Sequence, residues 1–318
     1  SFPTRRSSDL KRNIDWNYSF IAIIGAILFV PSLGHVHLFD WDEINFAEAA
    51  REMIVSGNYS RMQINFQPFW EKPPLFIWLQ VLSMKCFGVN EFAARFPVAI
   101  TGIATLLMIY SVGKKLFNQT FAITWLMVWC GSNLPQFYFK SGIIDPLFNL
   151  LIVLSIWNLF QFIEWKQNNL NVGGRTYALF SGLFAGLAVL TKGPVALLII
   201  VVCYLLYYWY HRDQQKFFYK EYYSGILLCM GIISLWFLPE TVLHGTWFIK
   251  NFFSYQIRLF GNSAEGHAEP FYYHPLVILF GCFPAVIFFI DVLFRRGLNM
   301  NPQQKNFWHM MLILFFVV

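Results

Sequence analysis

Charge is what this sequence has least of. Asp, Glu, Lys and Arg make up 13% of its 318 residues, about half the share of an ordinary soluble domain. Hydrophobic residues make up 57%, and the mean hydropathy is positive. That balance excludes a soluble enzyme and points to an all-α polytopic membrane protein. No basic stripe is interleaved with a nucleic-acid-reading motif, which excludes nucleic acid as a partner. The five cysteines, Cys86, Cys130, Cys203, Cys229 and Cys282, lie mostly inside apolar runs and form no C-x-x-C. They read as small core hydrophobes, not as disulfides or thiolate metal ligands. Neither a P-loop nor a dinucleotide-binding glycine motif occurs.

Both ends are abrupt. The first ten residues, SFPTRRSSDL, resemble a translated sequencing adapter and are set apart from fold reasoning. Residues 11–318 form one membrane domain, and the apolar run MMLILFFVV at its end is expected to continue beyond Val318.

A helical span needs about 20 mostly apolar residues. Candidates are Trp16 to Leu33, Phe96 to Gly113, Phe121 to Phe137, Pro146 to Ile163, Tyr177 to Leu190, Val195 to Tyr210, Tyr223 to Leu238, Pro275 to Leu293, and a last one from Phe307 onward. A further stretch, Pro74 to Val89, is short and interrupted by Gln80 and Lys85, as interfacial segments often are. Cytoplasmic loops carry the excess of Lys and Arg, and this decides the doubtful stretch. If Pro74 to Val89 does not span, Lys11/Arg12, Lys114/Lys115, Lys166/Arg175, His211 to Lys220 and Arg295/Arg296 all fall on one side. If it spans, the first pair is separated from the rest. The first threading is therefore expected. It places DWDE, FWEKPP, SGIIDP, LTKGP and GHAEPFYYH together on the outer face.

Those outer segments hold the candidate chemistry. The run from Asp42 to Gly57 carries Phe46, Ala49, Ala50, Met53 and Ile54 at helical spacing, with Glu48, Arg51 and Glu52 off the stripe. It predicts an amphipathic surface helix stopped by Gly57. Asp42 stands where an N-cap would, so it is either a cap or a catalytic acid; the adjacent Glu43 and nearby Asp40 exceed what one cap needs. Glu71 and Lys72 precede two prolines and are either an exposed ion pair, or a metal ligand and a phosphate-binding ammonium. Asp145 before Pro146 fits a helix start as well as a site acid. Lys192, ahead of Gly193 and Pro194, is a boundary cation that either snorkels or binds an anion. In the last outer loop Arg258 is a possible anion clamp, and His267, Glu269 and His274 are possible metal ligands without a recognised zinc spacing.

Taken in order, D-E, E-K-P-P-L, the Asp of the next outer loop and T-K-G-P resemble the integral-membrane GT-C glycosyltransferases. The nearest branch is the one holding the bacterial aminoarabinose transferases and the protein O-mannosyltransferases. The resemblance runs from about Asp42 to Tyr273. It implies a GT-C helix bundle that moves a hexosyl or pentosyl unit from a polyprenyl-phosphate carrier to an acceptor hydroxyl, with inversion. The acceptor would be lipid A, another glycolipid, a polysaccharide or a protein, at the outer face of the cytoplasmic membrane. Residue by residue, it implies Asp42 and Asp145 in the active site, and the acid cluster adds Glu43 beside them. It assigns Lys72 to the donor phosphate, matches Lys192 to the T-K-G lysine that would supply a second cation there, and assigns Glu71 and His267 to a divalent metal such as zinc, magnesium or manganese. Arg258, from its place in the last outer loop, is expected to join the two lysines at the phosphate. The aminoarabinose branch typically reads D-E-T-R-Y where this chain has DEINF, so Asn45 replaces an Arg whose bidentate phosphate clamp Asn does not imitate. The sugar and the acceptor stay open. The rival expectation is a secondary transporter, whose ionisable groups would sit near the bilayer midplane, often between internal repeats.

Overall fold

The computed structural model describes residues 16–39, 41–168, 174–212, 216, 218–261, 272–294 and 299–318. Among these residues the regular structure is helical apart from one small hairpin. The first apolar helix, α1 (Trp16–Phe29), leads into a surface segment. That segment consists of α2 (Asp42–Ser56), the strands β1 (Gln63–Ile64) and β2 (Gln67–Pro68), and α3 (Leu75–Phe87). The bundle continues with α4 (Glu91–Leu116), α5 (Gln119–Cys130), the short α6 (Asn133–Tyr138), α7 (Asp145–Gln167), α8 (Gly174–Lys192), α9 (Val195–Tyr210) and α10 (Tyr222–His244). After these come α11 (Trp247–Gly261), α12 (Tyr273–Gly281), α13 (Ala285–Phe294) and α14 (Pro302–Val317).

Three helices, α4, α7 and α10, are by themselves long and apolar enough to cross a membrane, among the described residues. At 1.5 Å per residue α3 is only about 20 Å long, short of a hydrocarbon core of about 30 Å. Gln80, one of the two residues that interrupt its apolar run, is fully buried and donates to the Ala94 carbonyl of α4 at 2.9 Å. Two expected spans are broken. Phe121 to Phe137 divides at Gly131–Ser132 into α5 and α6. Pro275 to Leu293 divides into α12 and α13, whose axes are bent by 119°. The second break falls at Pro284, which cannot supply the amide hydrogen a continuous helix requires.

The bundle has two chemically different ends. Helix α7, 23 residues long, extends about 35 Å at 1.5 Å per residue. Its far end carries Lys166, paired with Glu221 at 2.7 Å, and Glu164, which accepts from Asn306 of α14 at 3.0 Å. Lys114 and Lys115, with Gln304 bonded to the Leu116 carbonyl, gather at the same end. The other end of α7 starts at Asp145 and meets the C-terminus of α8. The surface helices collect there. Trp78 of α3 and Trp236 of α10 each donate to a carbonyl of the loop after α2, on Tyr59 and Ser60 respectively.

Helices α8 and α10 touch backbone to backbone. A Cβ on Gly182 would lie 2.0 Å from the Gly225 carbonyl oxygen, and one on Gly225 would lie 2.3 Å from that of Ala178. Small residues permit this approach, which drives helix association in lipid through van der Waals packing. The clash is with backbone, so no rotamer change relieves it. We expect Gly182→Ala to lower the thermal midpoint of the detergent-solubilised protein. Gly231, whose Cβ would meet nothing within 4 Å, is the control, and Gly231→Ala should leave the midpoint unchanged or raise it.

Candidate active site

Helix α2 forms because Phe46, Ala49, Ala50 and Met53 face inward at helical spacing, and all four are buried. Gly57, at φ 69°, ends the helix by taking the left-handed conformation and donating to the Met53 carbonyl at 3.1 Å. Asp42 is not the N-cap that its position suggested. It is the first helical residue, the preceding Trp41 occupies the cap position without a side-chain bond, and Asp42 is exposed. Asp40 lies outside the described residues.

Glu43 departs from its expected place beside Asp42 among the catalytic acids. It is 2% exposed, and both carboxylate oxygens are committed. Arg95 near the start of α4, itself 2% exposed, donates Nε to Oε1 at 2.7 Å and Nη2 to Oε2 at 2.9 Å. The amide of Phe39 donates to Oε2 at 2.6 Å, and the amide of Gly142 donates to Oε1. The remaining guanidinium hydrogens go to the carbonyls of Leu33, Val36 and His37, at 2.7, 2.6 and 2.9 Å. Burial alone would push the Glu43 pKa up. The Arg95 hydrogen bonds, the two backbone amides and the Arg95 charge outweigh it and hold the carboxyl below the ordinary value of 4.5. This pair ties the loop between α1 and α2, the head of α4 and the segment before α7 into one block. Glu43 therefore has both oxygens engaged and none left for a substrate proton. Arg95 was absent from the sequence expectations. No local pattern joins two residues 52 positions apart, and an Arg two positions before a Pro inside an apolar helix start reads as a snorkelling cation.

Asp145 begins α7, followed by Pro146 in the first turn. Its Oδ1 pairs with the Lys192 ammonium, the last residue of α8. The Asp145 and Lys192 side chains are 25% and 32% exposed, so the pair lines a solvent-reachable space. The two motifs SGIIDP and LTKGP thus meet directly. On the far side of Lys192 the chain turns at Gly193, φ 96°. A Cβ there would come within 3.1 Å of Phe252 on α11.

Helix α11 links the remaining candidates. Its Gln256 donates to the Glu71 backbone carbonyl at 3.3 Å. The Lys72 ammonium and the Arg258 guanidinium both lie over the Tyr255 ring, 5.8 and 5.6 Å from its centroid. Lys72 is followed directly by the buried Pro73 and Pro74. Lys72, Arg258 and, through Gly193, Lys192 thus gather around α11. Tyr138, at the end of α6, is a neighbour that the motifs did not announce. Burial, and then the adjacent Asp145 charge, push its hydroxyl pKa up.

His267 and Glu269 lie outside the described residues, as does the side chain of His274. Among the described residues no group of three His, Cys, Asp or Glu side chains comes together. The described residues do not by themselves make a metal site; Glu71 is the candidate ligand they include.

Residues 71–237 match the family described as dolichyl-phosphate-mannose-protein mannosyltransferase. This chain belongs to that family. The matched region begins at Glu71 and contains Lys72, Asp145 and Lys192. Among its curated relatives is the undecaprenyl phosphate-alpha-4-amino-4-deoxy-L-arabinose arabinosyl transferase of Enterobacter sp. (strain 638). It is 26% identical over 315 residues, covering 95% of this chain and 55% of the relative. A protein of the same name from Proteus mirabilis, number 2 of that strain, is 29% identical over 82% of this chain and 48% of its own length. The chain spans about half the length of the curated relatives it matches. Among solved structures, ArnT from Cupriavidus metallidurans bound to undecaprenyl phosphate superposes with a TM-score of 0.80. That match is at 18% identity and covers 95% of this chain and 56% of ArnT. The archaeal oligosaccharyltransferase AglB from Archaeoglobus fulgidus superposes at 0.51, with 14% identity, over 95% of this chain and 37% of AglB. The fold of this family member is the GT-C membrane fold expected from its motifs.

Proposed function

We propose that the protein transfers a sugar from a polyprenyl-phosphate carrier to an acceptor hydroxyl, with inversion, on the outer side of the cytoplasmic membrane. One arrangement carries the reading: acids and cations from separate segments meet at the less basic end of the bundle, with Asp145 paired to Lys192 and with Lys72 and Arg258 on one ring. Supporting the carrier class, the Cupriavidus structure holds undecaprenyl phosphate, and the Enterobacter and Proteus relatives are named for transfer from that carrier.

The chemistry asks for this set. A sugar phosphoester leaves as phosphate, a weak base, so protonation of the leaving group is not the main demand. The barrier lies in holding negative charge on the departing oxygens. Fixed cations in a poorly hydrated site do this, at about 3 kcal/mol for each partner removed. Lys72, Lys192 and Arg258 supply them, and Lys192 is kept oriented by Asp145 until the phosphate arrives. The attacking hydroxyl loses a proton to a carboxylate on the opposite side, and the exposed Asp42 takes that role. One displacement with a base facing the leaving group inverts the anomeric carbon. A divalent ion on Glu71 and His267 belongs to the same proposal and would add positive charge beside Lys72. The charged groups at the rim, not the midplane, favour transfer over solute transport.

The test is reconstitution of the full-length protein in liposomes with a polyprenyl-phosphate-linked pentose or hexose. Lipid A, other glycolipids, polysaccharide and peptide serve as acceptors, with mass spectrometry of products. We expect transfer to one acceptor class, and Lys72→Ala to reduce it by about 100-fold. Electrogenic solute uptake without sugar transfer would overturn the reading.

A further inference from the structure

Helical spacing puts Glu52 on the polar side of α2, yet it is 1% exposed. The reason is that α2 is covered twice, by α3 along its apolar stripe and by the β1–β2 hairpin along a second face. Glu52 lies under that hairpin, and its Oε2 accepts the Phe66 amide at 2.9 Å.

The turn it holds is an unfavourable one. Strands β1 and β2 pair Gln63 with Pro68 and Ile64 with Gln67, which leaves Asn65 and Phe66 as a two-residue loop. Both have positive φ, 54° and 57°, the type I′ geometry that matches strand twist. Asn suits the first position. The second is ordinarily Gly, and an aromatic side chain there is strained. A buried carboxylate on the Phe66 amide is what keeps the strained residue in place.

The hairpin leads straight to the site. Phe69 donates to the Met62 carbonyl at 2.9 Å, extending the ladder, and Glu71 and Lys72 follow two and three residues later. The buried Pro73 and Pro74 fix that segment from its other end. We infer that Glu52 is a positioning residue for Glu71 and Lys72, acting through the left-handed Asn65–Phe66 turn. The inference rests on the reading of Lys72 as a ligand of the carrier phosphate. Glu52 itself touches no substrate.

Glycine offers a specific test. In the left-handed region it carries no steric penalty, so Phe66→Gly should make the turn independent of its clamp. The experiment uses full-length protein in phosphatidylcholine nanodiscs. It measures amide hydrogen exchange across residues 62–72 and the Kd for undecaprenyl phosphate. Glu52→Ala should speed exchange and weaken binding, each by about tenfold. Phe66→Gly alone should match wild type, and Glu52→Ala with Phe66→Gly should recover both readouts to within about threefold. Should Glu52→Ala not fold, Glu52→Gln, which keeps an acceptor oxygen for the Phe66 amide, replaces it with smaller shifts in the same direction. Unchanged exchange in both Glu52 variants, or no recovery by Phe66→Gly, overturns the inference. If exchange follows the expected pattern but wild type binds no undecaprenyl phosphate, the clamp stands and the carrier reading falls.

Discussion

Replacing Asp42 by Asn is expected to slow sugar transfer by about 10²- to 10⁴-fold, the usual contribution of a positioned general base, while leaving the carrier Kd within about threefold of wild type, since Asn is nearly isosteric. The expectation follows from a contrast between two adjacent acids. Asp42 is exposed at the first helical position of α2, where no cap bond depends on it. Asn there keeps the shape but loses the negative charge and the basicity that takes up a proton. Glu43 is buried with both oxygens bonded. A loss of carrier binding equal to the loss of turnover would place Asp42 among the phosphate's neighbours instead. Near-normal turnover of Asp42→Asn would remove it from the mechanism. The measurement is single-turnover transfer in proteoliposomes beside an independent binding assay.

The largest effect on stability should come from Arg95. Removing one member of a buried ion pair leaves the other charge uncompensated and costs about 3–5 kcal/mol. Arg95→Met also strands the carbonyls of Leu33, Val36 and His37, which its guanidinium serves. We expect this variant not to accumulate as folded protein. Glu43→Gln should fold with a lower thermal midpoint. Exchanging the two residues, Glu43→Arg with Arg95→Glu, should not rescue. Position 95 must donate to three carbonyls, and position 43 must accept from the Phe39 and Gly142 amides. Rescue by the exchange would mean that charge attraction alone matters.

The pH dependence has a definite sign. The folded-state pKa of Glu43 is depressed below the ordinary 4.5. Its stabilisation is therefore fully present above pH 4.5 and is lost as the pH falls through the lower folded value. Thermal midpoints of the wild type should drop on acidification below pH 4.5, and Glu43→Gln should show a shallower acid limb.

Much of the architecture was legible because a membrane separates residues coarsely. The Lys and Arg excess forced DWDE, EKPP, SGIIDP and LTKGP to one end, and Asp145 and Lys192, 47 residues apart, do meet there. The stripe of α2 and its stop at Gly57 were equally readable, since both are local. What escaped was long-range or two-sided. The partnership of Glu43 with Arg95 has no spacing signature. Glu52 was misplaced because a single-stripe reading assumes one covered face, whereas the hairpin covers a second. Pro284 sat within a run apolar enough to pass for one span, and hydropathy does not register the missing amide that lets α12 and α13 diverge.

The central claim is that one cavity at the outer rim holds the carrier phosphate among Lys72, Lys192 and Arg258, with Asp42 facing it. Cryo-electron microscopy of the full-length protein with undecaprenyl phosphate tests this most directly. The account predicts phosphate density bounded by those three cations, and Asp42 and Asp145 opening onto the same space. Phosphate bound at the Lys115 and Lys166 end, or Lys72 and Lys192 turned into separate compartments, would contradict it.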